Sequence, residues 1–377
     1  MNVLKVFMLR SAIVVFWIAV GIGLLSIPRL TSWLSMRFER PFITVFTWGN
    51  MFDIARVRAF EKETGIKVFL NFYTTNEELH KKLLSSQGDG YDLIIPSDYA
   101  VEKLKKEGLL KKIDKSKITF LSHINQHLLN LPFDQHNEYT VPWAWELYGL
   151  GVNVDYFAQQ RNFRGLNKKQ VKNFFENKGW GALFDCCPQG YSVVMTSDPL
   201  EIFSFGALYL RNRGEELGPQ YNNLLQLLVR QRSWVEAYSS FRADYFLITG
   251  NSPLAVTTTA QMWQGIKNND AFEFIVPQEG TYATIENFAL PGASKKDDLV
   301  YAFINYMSSP ESVVKHFEKF SFFPACESYL DSIELDVSQL KLRAIAREHQ
   351  QKLMFFKAFL SDQEKYRLWV ALKATRS

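Results

Sequence analysis

Tyr91-Asp-Leu-Ile-Ile-Pro-Ser-Asp-Tyr99 is an apolar strand pattern that breaks at Pro96 and passes at once into Ser97, Asp98 and Tyr99. Upstream, Ile43 to Trp48 alternates as a strand, and Phe52 to Thr64 reads as an amphipathic helix closed by Gly65. Lys67 to Tyr73 is a second strand, and Asn76 to Ser86 a second helix with Asn76 as its expected N-cap. Downstream, Val101 to Glu107 reads as a short helix ending at Gly108. Strands alternating with helices predict a mostly parallel sheet covered on both faces. Ligands of such sheets bind where strands turn into loops at their carboxyl ends. Here those ends are Trp48-Gly-Asn50 and Pro96-Ser-Asp-Tyr99, which carry aromatic and hydrogen-bonding side chains rather than plain turn formers.

A second unit follows. Tyr191 to Thr196 is its strand, and Leu200 to Leu210 its helix, opened by Ser197-Asp-Pro199. Asp198 and Glu201 have the D-x-x-E spacing of an N-cap with its capping-box partner. Phe272 to Val276 and Tyr282 to Phe288 read as strands, and Asp297 to Ser308 as a helix. Pro324 falls in a loop, and a mostly helical tail begins at Val337. Ala158 to Gly179, rich in Lys and Arg, reads as a solvated helix–loop with the potential to meet anionic headgroups.

The chain has 377 residues, 47% of them hydrophobic, which fits two domains and excludes disorder and collagen-like repeats. Its 43 Lys+Arg against 39 Asp+Glu leave a charge of +4, and no basic stretch resembles a nucleic-acid patch. Three cysteines imply no disulfide framework; adjacent Cys186 and Cys187 read as small buried thiols. Lys5 and Arg10 precede an uncharged apolar run from Ser11 to Pro28, so residues 1–30 read as an uncleaved signal-anchor or a cleaved signal peptide, with a buried core helix as the bland reading. Either export reading places the body outside the cytoplasmic membrane.

Motifs for nucleotide cradles, zinc hydrolysis and serine nucleophiles are absent, and Gly149-Leu-Gly151 lacks the third glycine of a dinucleotide turn. His123 and His127 have metal-pair spacing, but no motif places a third ligand, so they read as surface histidines. No metal, cofactor or enzymatic activity is expected. Carboxylates scattered among aromatics suit the grip of a cation better than bond breaking.

Several strings carry a resemblance: Thr47-Trp48, Phe60-Glu-Lys-Glu-Thr-Gly-Ile-Lys-Val68, Tyr91 to Tyr99, Pro132-Phe-Asp134, Tyr139-Thr-Val-Pro-Trp-Ala-Trp145 and Gly149-Leu-Gly-Val-Asn153. In order and spacing the chain resembles the periplasmic spermidine/putrescine-binding proteins of ABC importers from about residue 42 to 330. The resemblance implies an α/β, two-lobed periplasmic-binding-protein fold of type II, each lobe a sheet flanked by helices, preceded by the N-terminal hydrophobic helix. Lobe I would comprise residues 42–149 and 286–339, and lobe II 150–285 and 340–377.

It further implies a cleft in which Trp48, Ser97 and Tyr99 face Asp198 and Glu201, with Glu286 where the family has an aspartate. Thr258 and Thr284 fall where the family has tryptophans, Met51 and Phe322 where it has tyrosines, and the segment 158–179 is an insertion. Tyr282 shares a strand face with Thr284 and Glu286 and is the expected replacement wall. Asp98 and Glu146 are extra carboxylates near the motif positions. The expected partners are a polyamine, an ABC permease and the membrane through the N-terminal helix, with no nucleic acid and a monomeric chain. Another small organic cation or an amino acid is the alternative ligand, and a membrane-anchored sensor the alternative role.

Overall fold

The computed structural model describes residues 40–185, 190–240, 242–266 and 269–374, together with Trp17. The hydrophobic helix expected within residues 1–30, apart from Trp17, and the Cys186–Cys187 pair therefore lie outside the described residues. Among the described residues no helix is long and apolar enough to cross a membrane.

Strands β1 (Phe42–Trp48), β2 (Lys67–Tyr73) and β3 (Leu93–Ile94) alternate with helices α1 (Ile54–Thr64), α2 (Asn76–Ser86) and α3 (Asp98–Lys106). β1 lies parallel between β2 and β3. Helix α1 starts later than expected because Asp53 caps it, accepting from the Ala55 amide, and Gly65 closes it at φ 74. Thr75, not Asn76, caps α2: its hydroxyl accepts from the Glu78 amide, while Asn76 is buried as the first helical residue.

The element that joins the lobes is β4 (Thr140–Asn153), a strand of 14 residues. It is followed by α4 (Val154–Gln159), α5 (Lys168–Lys178), α6 (Gly181–Phe184), β5 (Val193–Met195), α7 (Pro199–Asn212), α8 (Asn222–Arg232), β6 (Val235–Tyr238), α9 (Ala243–Ile248), β7 (Leu254–Thr258), α10 (Thr259–Ile266) and β8 (Phe272–Ile275). Then come β9 (Tyr282–Ala289), α11 (Asp297–Met307), α12 (Pro310–Phe320), β10 (Phe323–Pro324), α13 (Val337–His349), β11 (Met354–Phe355) and α14 (Asp362–Ala374).

From Thr140 to Leu147, β4 runs antiparallel to β9; from Tyr148 to Val152 it pairs with β7 instead, and β8 flanks its end. One strand thus belongs to both sheets, in the order β2-β1-β3-β9-β4-β7-β5-β6. Gly149 and Gly151 permit this packing. A Cβ on Gly149 would lie 2.5 Å from the Phe274 ring and 2.7 Å from the Ile275 carbonyl, and one on Gly151 2.7 Å from Leu247 and Met262. The Gly-Leu-Gly string lets β8 pack close at Gly149 and helices α9 and α10 at Gly151.

Two other expectations are corrected. Pro324 sits in β10, paired with Ala144 at the sheet margin, where the proline's missing N–H is tolerated. The basic segment is not simply solvated: α5, held by a reciprocal Asn167–Gln170 capping box, buries Val171 and Phe175 against Phe157 and Phe163. Three of its lysines meet acids, Lys168 with Asp155 and Asp270, Lys172 with Glu176 and Glu273, and Lys178 with Asp185.

Candidate functional site: an acidic cleft between the lobes

A slot of about 90 Å³ opens where β4 changes sheets. It is smaller than the ~300–1,000 Å³ of most drug-sized sites, which suits a slender ligand. The last residue of β1 supplies Trp48, and the N-cap and first turn of α3 supply Ser97 and Tyr99; the start of α7 supplies Asp198 and Glu201; β9 supplies Thr284 and Glu286; β7 supplies Thr258. Trp48, Ser97, Tyr99, Asp198, Glu201, Glu286, Thr258 and Thr284, all expected at the cleft, therefore line one slot.

Tyr282 is the exception. Its ring stacks on Phe356 at 4.4 Å and meets Phe205 edge-on, and it is not in the slot lining. The alternation along β9 holds, but β11 pairs beside Tyr282 and Ala283 and brings Phe356 over that end of the strand. The tail thus takes the face expected to meet ligand.

Each carboxylate is positioned by neighbours of a different lobe or element. Glu286 accepts from the Ser97 hydroxyl at 2.7 Å and from the Trp48 indole N–H at 2.8 Å. Trp48 is therefore an orienting donor as well as a wall. Asp198 caps α7, accepting from the amides of Leu200 at 2.8 Å and Glu201 at 3.4 Å, and its other oxygen lies 3.4 Å from the Tyr99 hydroxyl across the slot. Glu201 does not reach back to complete a capping box. Its carboxylate turns to the Tyr148 hydroxyl at 2.6 Å and to the Thr196 hydroxyl. Tyr148, missed in the sequence, shares a face of β4 with Glu146 by period two, a signal that reading Tyr139 to Asn153 as one strand would have exposed.

Asp198, Glu201 and Glu286 expose only 7%, 5% and 6% of their surface. Burial raises the pKa of all three. Glu286 is pushed up to about 8 by burial, with Glu146 and Asp98 adding repulsion. Glu201 is raised by burial and then by the charge of Asp198, and Asp198 by burial and then by Glu77. Glu146, on the slot floor, is pushed up to about 7 by burial. Asp98 lies behind the floor, accepting from the Ile285 amide at 3.1 Å and the Thr284 hydroxyl at 3.3 Å, and burial lifts it to about 7. Among the described residues lining the slot none is basic. Thr74, Thr75, Ser240 and Gln261 add neutral polar groups, while Met51 and Phe322 add apolar ones.

Such a slot gathers negative charge out of water without supplying a counter-ion, so its electrostatics favour a cationic guest. Among the described residues no group of His, Cys, Asp and Glu is arranged to hold a metal ion.

The chain is similar to several known proteins. The spermidine/putrescine-binding periplasmic protein of Escherichia coli is 28% identical over 271 residues, 71% of this chain and 72% of that protein. The putrescine/cadaverine-binding protein of Pseudomonas aeruginosa is 28% identical over 295 residues, 75% and 79% of the two chains. A solved structure titled as a putative spermidine/putrescine ABC transporter from Listeria monocytogenes superposes with a TM-score of 0.75 at 24% identity, covering 89% of this chain and 99% of that one. That likeness establishes the two-lobed type II periplasmic-binding-protein fold. The family model for bacterial extracellular solute-binding proteins matches residues 55–341, most of the chain, and the protein belongs to that family.

Proposed function

We propose that the protein captures a linear polyamine of the spermidine/putrescine class outside the cytoplasmic membrane and presents it to an ABC permease. The observation that carries this reading is the slot itself: Asp198, Glu201, Glu286 and Glu146 face one narrow space that no described basic side chain shares. A polyamine carries about one positive charge per amine at neutral pH, since amine pKa values lie near ~10.4. Each ammonium that meets a buried carboxylate forms a charge-assisted hydrogen bond, worth roughly 1.5–3 kcal/mol. Trp48 and Tyr99 cover the methylenes between them. A closed, empty slot leaves carboxylates desolvated and unpaired, so ligand favours closure and the closed form is the one delivered.

The lobes are taken to divide as the sequence predicts, 42–149 with 286–339 and 150–285 with 340–377. The switch of β4 from β9 to β7 after Leu147 supports the first boundary. In this role the protein is a monomeric periplasmic binding component rather than an enzyme, held near the membrane if its N-terminal segment is retained. Similarity to periplasmic polyamine-binding proteins supports that location. A second reading, another small organic cation, is favoured by one observation: the hydroxyls of Thr258 and Thr284 line the slot where broad aromatic walls are expected. Titration calorimetry with spermidine, putrescine, cadaverine and an uncharged polyol separates the two. Heat with the amines alone supports the proposal, and no heat with any amine refutes it.

A further inference from the structure

Glu146 lies at the crossover of β4, where its Cα pairs with Thr284 of β9 two residues before Tyr148 pairs with Thr258 of β7. Along β9, Glu286 follows Thr284 on the same face; on the opposite side of the slot, Tyr148 donates to Glu201. Glu146 is therefore set between the carboxylate of lobe I and the carboxylate pair at the start of α7. Its Oε2 is buried and has no hydrogen-bond partner among the described residues, although the Thr258 hydroxyl and the Ala260 amide steady its charge. Glu146 lines the same slot as Glu201 and Glu286, and its charge repels both.

A linear diamine held at its two ends would lay bare methylenes across this floor. That would leave the buried Oε2 desolvated and unpaired, a cost the free protein can relieve with water. A chain with a secondary ammonium between its terminal amines would place an N–H donor and a positive charge over the floor instead. Thr258 and Thr284 on either side keep the floor hydrophilic, so the middle of the guest meets polar atoms rather than indole faces.

We infer that Glu146 is a specificity-determining residue that binds the central ammonium of a linear triamine and makes the cleft reject diamines of similar reach. The inference rests on the proposed amine-binding role and deepens it.

Calorimetry of the full chain with spermidine and with 1,8-diaminooctane, a diamine of nearly the same length, tests it against Glu146→Gln. The wild-type protein should prefer the triamine by about ten- to a hundredfold, the worth of one charge-assisted bond. Glu146→Gln should erase most of that preference by weakening the triamine while leaving the diamine unchanged or tighter. Both affinities are read on the same folded variant, so a general loss of structure, which lowers both alike, is told apart by the ratio. Asp198→Asn should instead weaken both ligands and keep the ratio. Equal wild-type affinity for the two amines, or a Glu146→Gln protein that retains the wild-type ratio, overturns the assignment while amine binding stands. Absence of binding by any amine overturns the amine-binding reading and this inference with it.

Discussion

Lowering the pH from 8 to 6 should weaken polyamine binding steeply, although the amines stay fully charged throughout. The cause lies in the cleft. A carboxyl with its pKa near 8, as at Glu286, is about half ionised at pH 8 and only about 1% ionised at pH 6. If the bound amine requires the ionised form, that group alone costs about 50-fold in affinity over the interval. Glu146, near 7, contributes up to a further tenfold or so, and Asp198 and Glu201 act in the same direction. Binding must therefore release protons, more than one per ligand at pH 7 from Glu286 and Glu146 together. Calorimetry in buffers of different ionisation enthalpy measures this directly, since observed heat then varies linearly with the buffer's enthalpy and the slope counts protons. A zero slope at pH 7, with affinity flat between pH 6 and 8, would refute the claim that these carboxyls hold the ligand. The empty protein should show the opposite trend in stability. Glu286 binds its proton more tightly when folded than at the ordinary value of 4.5, so its contribution to stability falls as pH rises from about 4.5 to about 8. Ligand removes that loss, and the thermal shift produced by spermidine should be larger at pH 8 than at pH 6.

Asp198→Asn separates a cap from a charge. Asn caps a helix as well as Asp, so the empty protein should melt within a degree or two of wild type while spermidine affinity falls about ten- to a hundredfold. Glu318→Gln, on the exposed face of α12, is the control, and an equal effect there would count against the site. Gly149→Ala should destabilise the fold by about 1–3 kcal/mol, at the upper end because the new methyl meets the Ile275 backbone carbonyl as well as a ring; a melting temperature equal to wild type would sink the crossover packing argument. Lys365 of α14 pairs with Glu77 of α2 at 2.7 Å and also lowers the pKa of Asp198. Lys365→Ala should cost less than about 1 kcal/mol of stability as a partly exposed pair, yet weaken spermidine binding more at pH 6 than at pH 8, which parallel titrations would show.

The parts of the site that were legible in the sequence are those fixed by local rules. Asp198 caps α7 because Pro199 opens the helix and leaves its first amides free, and Trp48, Ser97 and Tyr99 sit at strand ends where the sheet delivers them. What local rules did not reach was partner choice. Glu201 has the spacing of a capping-box residue, but the Tyr148 hydroxyl, 53 positions away in sequence, competes for its carboxylate. Tyr282 keeps its strand face and loses the slot to Phe356, a residue of the tail whose docking no periodicity announces. The 14 residues of β4 were hard to read as a strand because their burial is nearly continuous on both faces. With β4 unread, Glu146 and Tyr148 could not be placed side by side.

The net charge of +4 points to an anionic partner, and the cleft to a cationic one. The contradiction dissolves once the charges are weighed by their surroundings. Half-buried surface lysines such as Lys168 and Lys172 are paired with acids and screened by salt over about 8–10 Å, so each adds little to the field felt by a guest in the slot. Asp198, Glu201 and Glu286 are almost wholly buried, where the effective dielectric is low and a charge acts at several times its strength in water. The same burial that strengthens their pull on a cation also drives them toward the neutral form, so the empty slot carries only part of its formal charge at pH 7. A cation entering the slot recovers that charge by expelling protons. Selectivity then follows from how many carboxyls a guest can ionise at once, and a guest with three ammonium groups can ionise more of them than a guest with two.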